Sequence, residues 1–156
     1  MSSQDIVLAA HLARRAGFGA TRDQLDRYVS VGYEAMVEEL LHPGDHQGMP
    51  DDLIRRYHSD LSDMKGGGPP PAYWLYRMVT TKAPLQEKIA LFWHGIFATG
   101  FSKITNGKDL TDQIQMFRDY GVGNYRELLL QLAKNPAMIF WLDNHENHMR
   151  APNENW

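Results

Sequence analysis

Seven histidines are spread over a 156-residue chain that contains no cysteine. Disulfides, thiolate zinc sites and cysteine nucleophiles are therefore excluded, and a metal would have to take His, Asp, Glu or amide oxygen. Two places concentrate groups that could do chemistry. The first is His94, in "PLQEKIALFWHGIFATGF", the most apolar long stretch. At helical spacing its face carries Glu87, Ala90, Leu91, Phe97 and Ala98, so the imidazole points to the core with Glu87 two turns away. Such a ring is either a core histidine bonded to a carbonyl or carboxylate, or a ligand or base.

The second place is "FWLDNHENHMRAPNENW", residues 140–156, with two histidines, four asparagines, three acids and one arginine. Asp143 falls at the C-terminal end of a short apolar helix, where the helix dipole disfavours a carboxylate by roughly 0.3–1 kcal/mol. Arg118, Arg126, Arg150, a histidine or a cation are candidates to compensate it. One reading is a divalent metal held by Asp143, His145, His148 and Glu154; the other is a hydrogen-bonded polar loop. His145 and His148 are three residues apart, whereas the His-Glu-x-x-His pattern of metalloproteases needs four and a glutamate directly after the first histidine.

The elements that must position these groups read as helices. Alternating apolar and polar runs rich in β-branched residues are almost missing, which predicts an all-α fold, an irregular multi-helix bundle of about eight to nine helices forming a single domain over 1–156. A first helix over Asp5–Ala16 places Ile6, Ala9, Ala10, Ala13 and Ala16 on one side and ends at Gly17. Thr21 and Gln24 have the spacing of a capping box for a second. "GYEAMVEELLHPG" predicts a third, with Met36, Val37, Leu40 and Leu41 inward, and "PDDLIRRYHSDLSDM" a fourth. "GGGPPP" predicts a flexible surface loop over 65–71. Helices follow in "AYWLYRMVTTK", around His94, in "DLTDQIQMFRDYG", after Asn124 as cap, and after Asn135 as cap with Pro136 first in the helix.

With 16 basic and 19 acidic residues the net charge is −3, and the basic groups are scattered, which argues against nucleic acid as a partner. No apolar run approaches the roughly 18 residues of a membrane span. The N-terminus lacks the layout of a secretory signal and reads as a cytoplasmic start, an expectation that export through an upstream segment would change. "GFG" at 17–19 follows a helix rather than a strand, so it reads as a helix stop and not a phosphate cradle. Tyr73, Trp74 and Tyr76 read as core packing.

"HLARRAGFG", "PLQEKIALFWHGIFAT", "GNYRELLLQLAKNPAMIFWLDN" and "APNENW" together resemble the DUF1800 family, bacterial proteins of unknown function, from His11 to Trp156. The resemblance implies a largely helical protein without an agreed activity, and a frequent gene neighbour from a second family, DUF1501, as a partner. It also implies that the chain continues, so that this sequence is an N-terminal fragment whose C-terminal half is missing. The family's characteristic positions fall on His11, Arg14, Arg15, Gly17, Phe18, Gly19, Trp93, His94, Phe97, Gly123, Asn124, Arg126, Pro136, Asp143, Asn144, Asn147, Asn153, Glu154 and Asn155. Where members often read Phe-Trp-His-Asn-His-Phe, this chain has "FWHGIF", leaving His94 alone on its helix.

The expectation is then a metal-assisted enzyme with His94, Asp143 and Glu154 as catalytic groups and His145 and His148 as metal ligands, between His94 and the 143–155 loop. His11, Arg14, Arg15, Arg126, Asn144, Asn147, Asn153 and Asn155 are expected as structural residues of the motifs. The alternative is a helical interaction module for a DUF1501-like protein.

Overall fold

The computed structural model describes residues 3–44 and 69–153. Among the described residues the chain forms eight α-helices, a final 3₁₀ turn and no strand beyond a single bridge between His148 and Ala151. The all-α expectation holds. The helices are α1 (Ser3–Arg15), α2 (Arg22–Val31), α3 (Tyr33–Leu41), α4 (Pro69–Thr80), α5 (Pro84–Ile96), α6 (Gly107–Tyr120), α7 (Tyr125–Leu132) and α8 (Pro136–Trp141). The helix expected in "PDDLIRRYHSDLSDM" and the glycines of the proline loop lie outside the described residues.

Local signals set most boundaries. Thr21 Oγ1 accepts from the Gln24 N–H while the Thr21 N–H donates to Gln24 Oε1, a complete capping box for α2. Asn124 Oδ1 accepts from the N–H groups of Arg126 and Glu127, and Asn135 Oδ1 from that of Met138, so both expected caps form. At the end of α1 the Gly19 N–H reaches back to the Ala13 carbonyl at 3.2 Å, which makes "GFG" a helix stop. Gly32 joins α2 to α3 at φ +92°, ψ 158°, a backbone region that side chains with a Cβ rarely enter. Two expectations change. Pro69–Pro71, assigned to the loop, open α4, because a proline in the first turn lacks only an N–H that has no intrahelical partner. Leu41 points outward at 44% exposure, since the α3 stripe that packs is Met36 and Leu40.

Two apolar clusters hold these elements. Ala9 and Ala13 of α1 and Ala16 just after it share a cluster with Met36 and Leu40 of α3, and Leu85 of α5 packs against the same cluster. The larger cluster joins Trp74, Ala90, Ile114, Phe117, Leu128, Leu132 and Met138 from α4 to α8. Phe117 is fully enclosed at its centre, so truncation to Ala would cost about 3–5 kcal/mol. The α5 and α6 helices lie along each other and form the frame for His94. Gly121, just past α6, receives the Trp93 Nε1–H on its carbonyl at 2.8 Å; a Cβ there would lie 2.8 Å from Trp93 Cδ1 and 2.9 Å from Ile89 Cγ2.

Candidate functional site: the His94 cavity and the 143–153 loop

A buried ion pair stands behind His94. Glu87, one side of the same α5 face, is 2% exposed and accepts from Arg118 Nε at 2.6 Å and from Trp74 Nε1 at 3.1 Å. Arg77 Nε lies 3.6 Å from the same carboxylate. Trp74 thus has its indole N–H tied to Glu87 while its ring meets the His94 ring edge-on, with centroids 5.2 Å apart. Glu87 orients the tryptophan, and the tryptophan forms one wall beside the imidazole.

His94 is half-buried, and burial pushes its pKa below the ordinary 6.5, so the ring is neutral at pH 7. Its Nδ1 is enclosed and, among the described residues, has no hydrogen-bond partner. The core-histidine expectation, a ring bonded to a carbonyl or carboxylate, is therefore not met at this nitrogen among the described residues. Instead His94 lines a cavity of about 260 Å³ together with Pro70, Trp74, Thr99, Phe101, Leu110 and Ile114. Thr99 is buried and its Oγ1 donates to Gln113 Oε1 at 2.6 Å. The arrangement is an apolar hollow with one uncharged imidazole in its wall. Gly95 and Ile96, where the chain departs from the family pattern, are exposed, and a Cβ on Gly95 would meet open space, so the departure lies on the outer side of α5.

The polar loop is a second, separately built structure. Asp143 is left-handed (φ 58°, ψ 22°) at the stop of α8, with its N–H on the Phe140 carbonyl. Its compensating cation is Lys103, whose Nζ lies 2.6 Å from Asp143 Oδ1 and also donates to the Trp141 carbonyl at 2.9 Å. None of Arg118, Arg126 and Arg150 takes this part: Arg118 is bound to Glu87, and Arg126 and Arg150 are exposed. A single ammonium thus answers both the helix end and the carboxylate.

The asparagines hold the loop closed. Asn147 Nδ2 donates to Asn144 Oδ1, the Asn153 N–H donates to Asn147 Oδ1, and Asn153 Nδ2 donates to the Leu142 carbonyl at 2.5 Å. His145 lies against the Phe140 ring at 4.5 Å, and His148 Nδ1–H donates to the Glu146 carbonyl. Each histidine has its own contact, and among the described residues no group of three or more His, Asp or Glu comes together as a metal set. Glu154 and Asn155 lie outside the described residues, and His11, Arg14 and Arg15 are exposed on α1.

The cavity and the loop are neighbours rather than one site. The turn after α5 joins them: Gly100 lines the cavity and sits against the Trp141 ring, whereas Lys103, three residues on, holds Asp143. Asp143 is not among the described residues that line the cavity. Sequence reasoning missed Lys103 and Thr99, which carry no local signal, and read Trp74 only as core. The Glu87–Arg118 pair was in reach, since a glutamate on an apolar helical face calls for a buried cation.

Fold and site together define an all-α bundle with a histidine-walled apolar cavity beside a closed asparagine loop, and no described helix is long and apolar enough to cross a membrane. The chain belongs to the DUF1800 family, proteins of unknown function, whose model matches residues 11–156. No curated protein and no solved structure matches it.

Proposed function

We propose that this chain binds a small uncharged molecule in the His94 cavity, and that any reaction takes place there with His94 as the polar group facing the substrate. The observation that carries this reading is an imidazole that lines an otherwise apolar hollow of about 260 Å³ and whose buried Nδ1 has no hydrogen-bond partner among the described residues. A structural core histidine would have its nitrogens satisfied. An apolar cavity of about 150 Å³ already holds benzene, so this one has room for a ring with a short substituent. Of the enzyme first read between His94 and the 143–155 loop, the cavity half is the part this geometry supports. The metal-assisted form would draw on His145, His148 and Glu154; its test is metal stoichiometry in the protein and in a His145→Ala/His148→Ala variant.

Toluene titrated into the protein, followed by methyl NMR, tests the reading: the Ile114 and Leu110 signals should shift saturably, and Ile114→Trp, which fills the hollow, should abolish the effect. No saturable shift at these residues refutes it.

The interaction-module reading rests on a different observation. Leu75 and Val79, one turn apart on α4, are 63% and 78% exposed and wall a broad groove with Phe18. In that reading a DUF1501-like protein covers them, and Leu75→Glu/Val79→Glu would abolish co-purification of the two proteins.

A further inference from the structure

The His94 cavity also specifies which kind of uncharged molecule fits. Its lining among the described residues contains no Lys, Arg, Asp or Glu, so an ionised ligand would lose its hydration without gaining a counter-charge. Three side chains in the lining carry a polar hydrogen: Trp74, Thr99 and His94. The indole N–H of Trp74 is held by Glu87, and the hydroxyl of Thr99 donates to Gln113. Of these three side chains, the imidazole is the one with no hydrogen bond among the described residues.

The position of that hydrogen follows from the packing. Nδ1 is buried and has no partner among the described residues, so placing the proton there would bury an unpaired N–H, and a second proton on the ring would do the same. A proton on Nε2 avoids a buried, unpaired N–H, and because His94 lines the cavity the ring can then offer that N–H as a donor. The general-base alternative requires the opposite tautomer, with Nδ1–H held by a carbonyl or carboxylate, and no such partner is present at Nδ1 among the described residues.

We propose that His94 is held as the neutral Nε2–H tautomer and donates a hydrogen bond to the oxygen of a small apolar carbonyl compound, a ketone, aldehyde or ester, bound between Trp74, Leu110 and Ile114. In a reaction this group polarises the carbonyl rather than removing a proton. The inference rests on the cavity being the ligand site, and its test separates the two.

Acetophenone and α-methylstyrene have the same shape and differ in C=O against C=CH2. Their affinities for the full chain and for His94→Phe, measured by NMR titration, form a cycle in which the differing hydrophobicity of the probes cancels. One neutral hydrogen bond corresponds to a ratio of affinities that shifts by about 3- to 10-fold toward acetophenone when His94 is present. Saturable binding of neither probe overturns the cavity reading itself. Binding of both with a ratio unchanged by His94→Phe leaves the cavity standing and overturns the donor. The nitrogen-15 spectrum of the histidine-labelled unmodified protein gives an answer independent of any variant: a pyrrole-like Nε2 and a pyridine-like Nδ1 on His94 are expected, and the reverse refutes the proposal.

Discussion

The buried pair behind His94 gives the sharpest expectation. Replacing Glu87 with Leu removes a carboxylate whose side chain is 3% exposed and strands the guanidinium of Arg118, 5% exposed, together with the indole N–H of Trp74. Water cannot reach either group without opening the α5–α6 interface, so the cost is that of a buried charge left unpaired, about 3–5 kcal/mol. A domain's whole stability is about 5–15 kcal/mol, and the variant should lose about a fifth or more of it. Arg77, 24% exposed, turns to solvent and adds little. Urea unfolding followed by circular dichroism measures the effect, with an unchanged slope showing that the unfolded state is the same. The double variant Glu87→Leu/Arg118→Met leaves no buried ion of the pair; it loses the Trp74 bond to Glu87 and the Arg118 bond to Gln115, and it should lie within about 2 kcal/mol of the parent. The coupling between the two sites is then about 2 kcal/mol or more. Additive single effects, or a cost of Glu87→Leu below about 1 kcal/mol, would refute the account of why these charges are buried.

Three further expectations follow from the same geometry. Gly121→Ala places a methyl against the Phe117 carbonyl and Trp93, and should cost about 1–3 kcal/mol with a shift in Trp93 fluorescence; a neutral result would show that the α6 end can give way. Asp143→Ala keeps the left-handed backbone but loses the Lys103 pair, and should cost about 1–2 kcal/mol, whereas Asp143→Gly relieves the conformation and stays near neutral; equal costs in thermal melts would remove strain as the cause. Because the folded pKa of His94 lies below its ordinary 6.5, its contribution to stability is intact above that pH. It is lost as pH falls below 6.5, where the unfolded chain takes up the proton first. The parent should therefore lose more stability between pH 7 and 5 than His94→Phe, and parallel unfolding profiles would contradict this.

Much of the helical layout is legible from local chemistry. Thr21 with Gln24, Asn124, and Asn135 followed by proline mark helix starts through bonds between residues two to three apart, and those bonds form as the spacing predicts. The alanine stripe of α1 and the apolar faces of α5 and α6 follow in the same way from the helical period, which the backbone imposes regardless of what lies opposite. His94 and Asp143 are likewise visible as residues in need of partners.

Their partners are another matter, because a partner is chosen by distance in space, and no local rule carries that. Lys103 reaches Asp143 across forty residues, Arg118 reaches Glu87 across thirty-one, and neither spacing has a helical or turn period. The sequence by itself determined an all-α chain, its caps and the side of α5 on which His94 stands. Only the tertiary packing decided that Glu87 would spend its carboxylate on Arg118 and Trp74. That left His94 without the expected partner, facing a hollow that α4, α6 and the turn at Gly100 close around it.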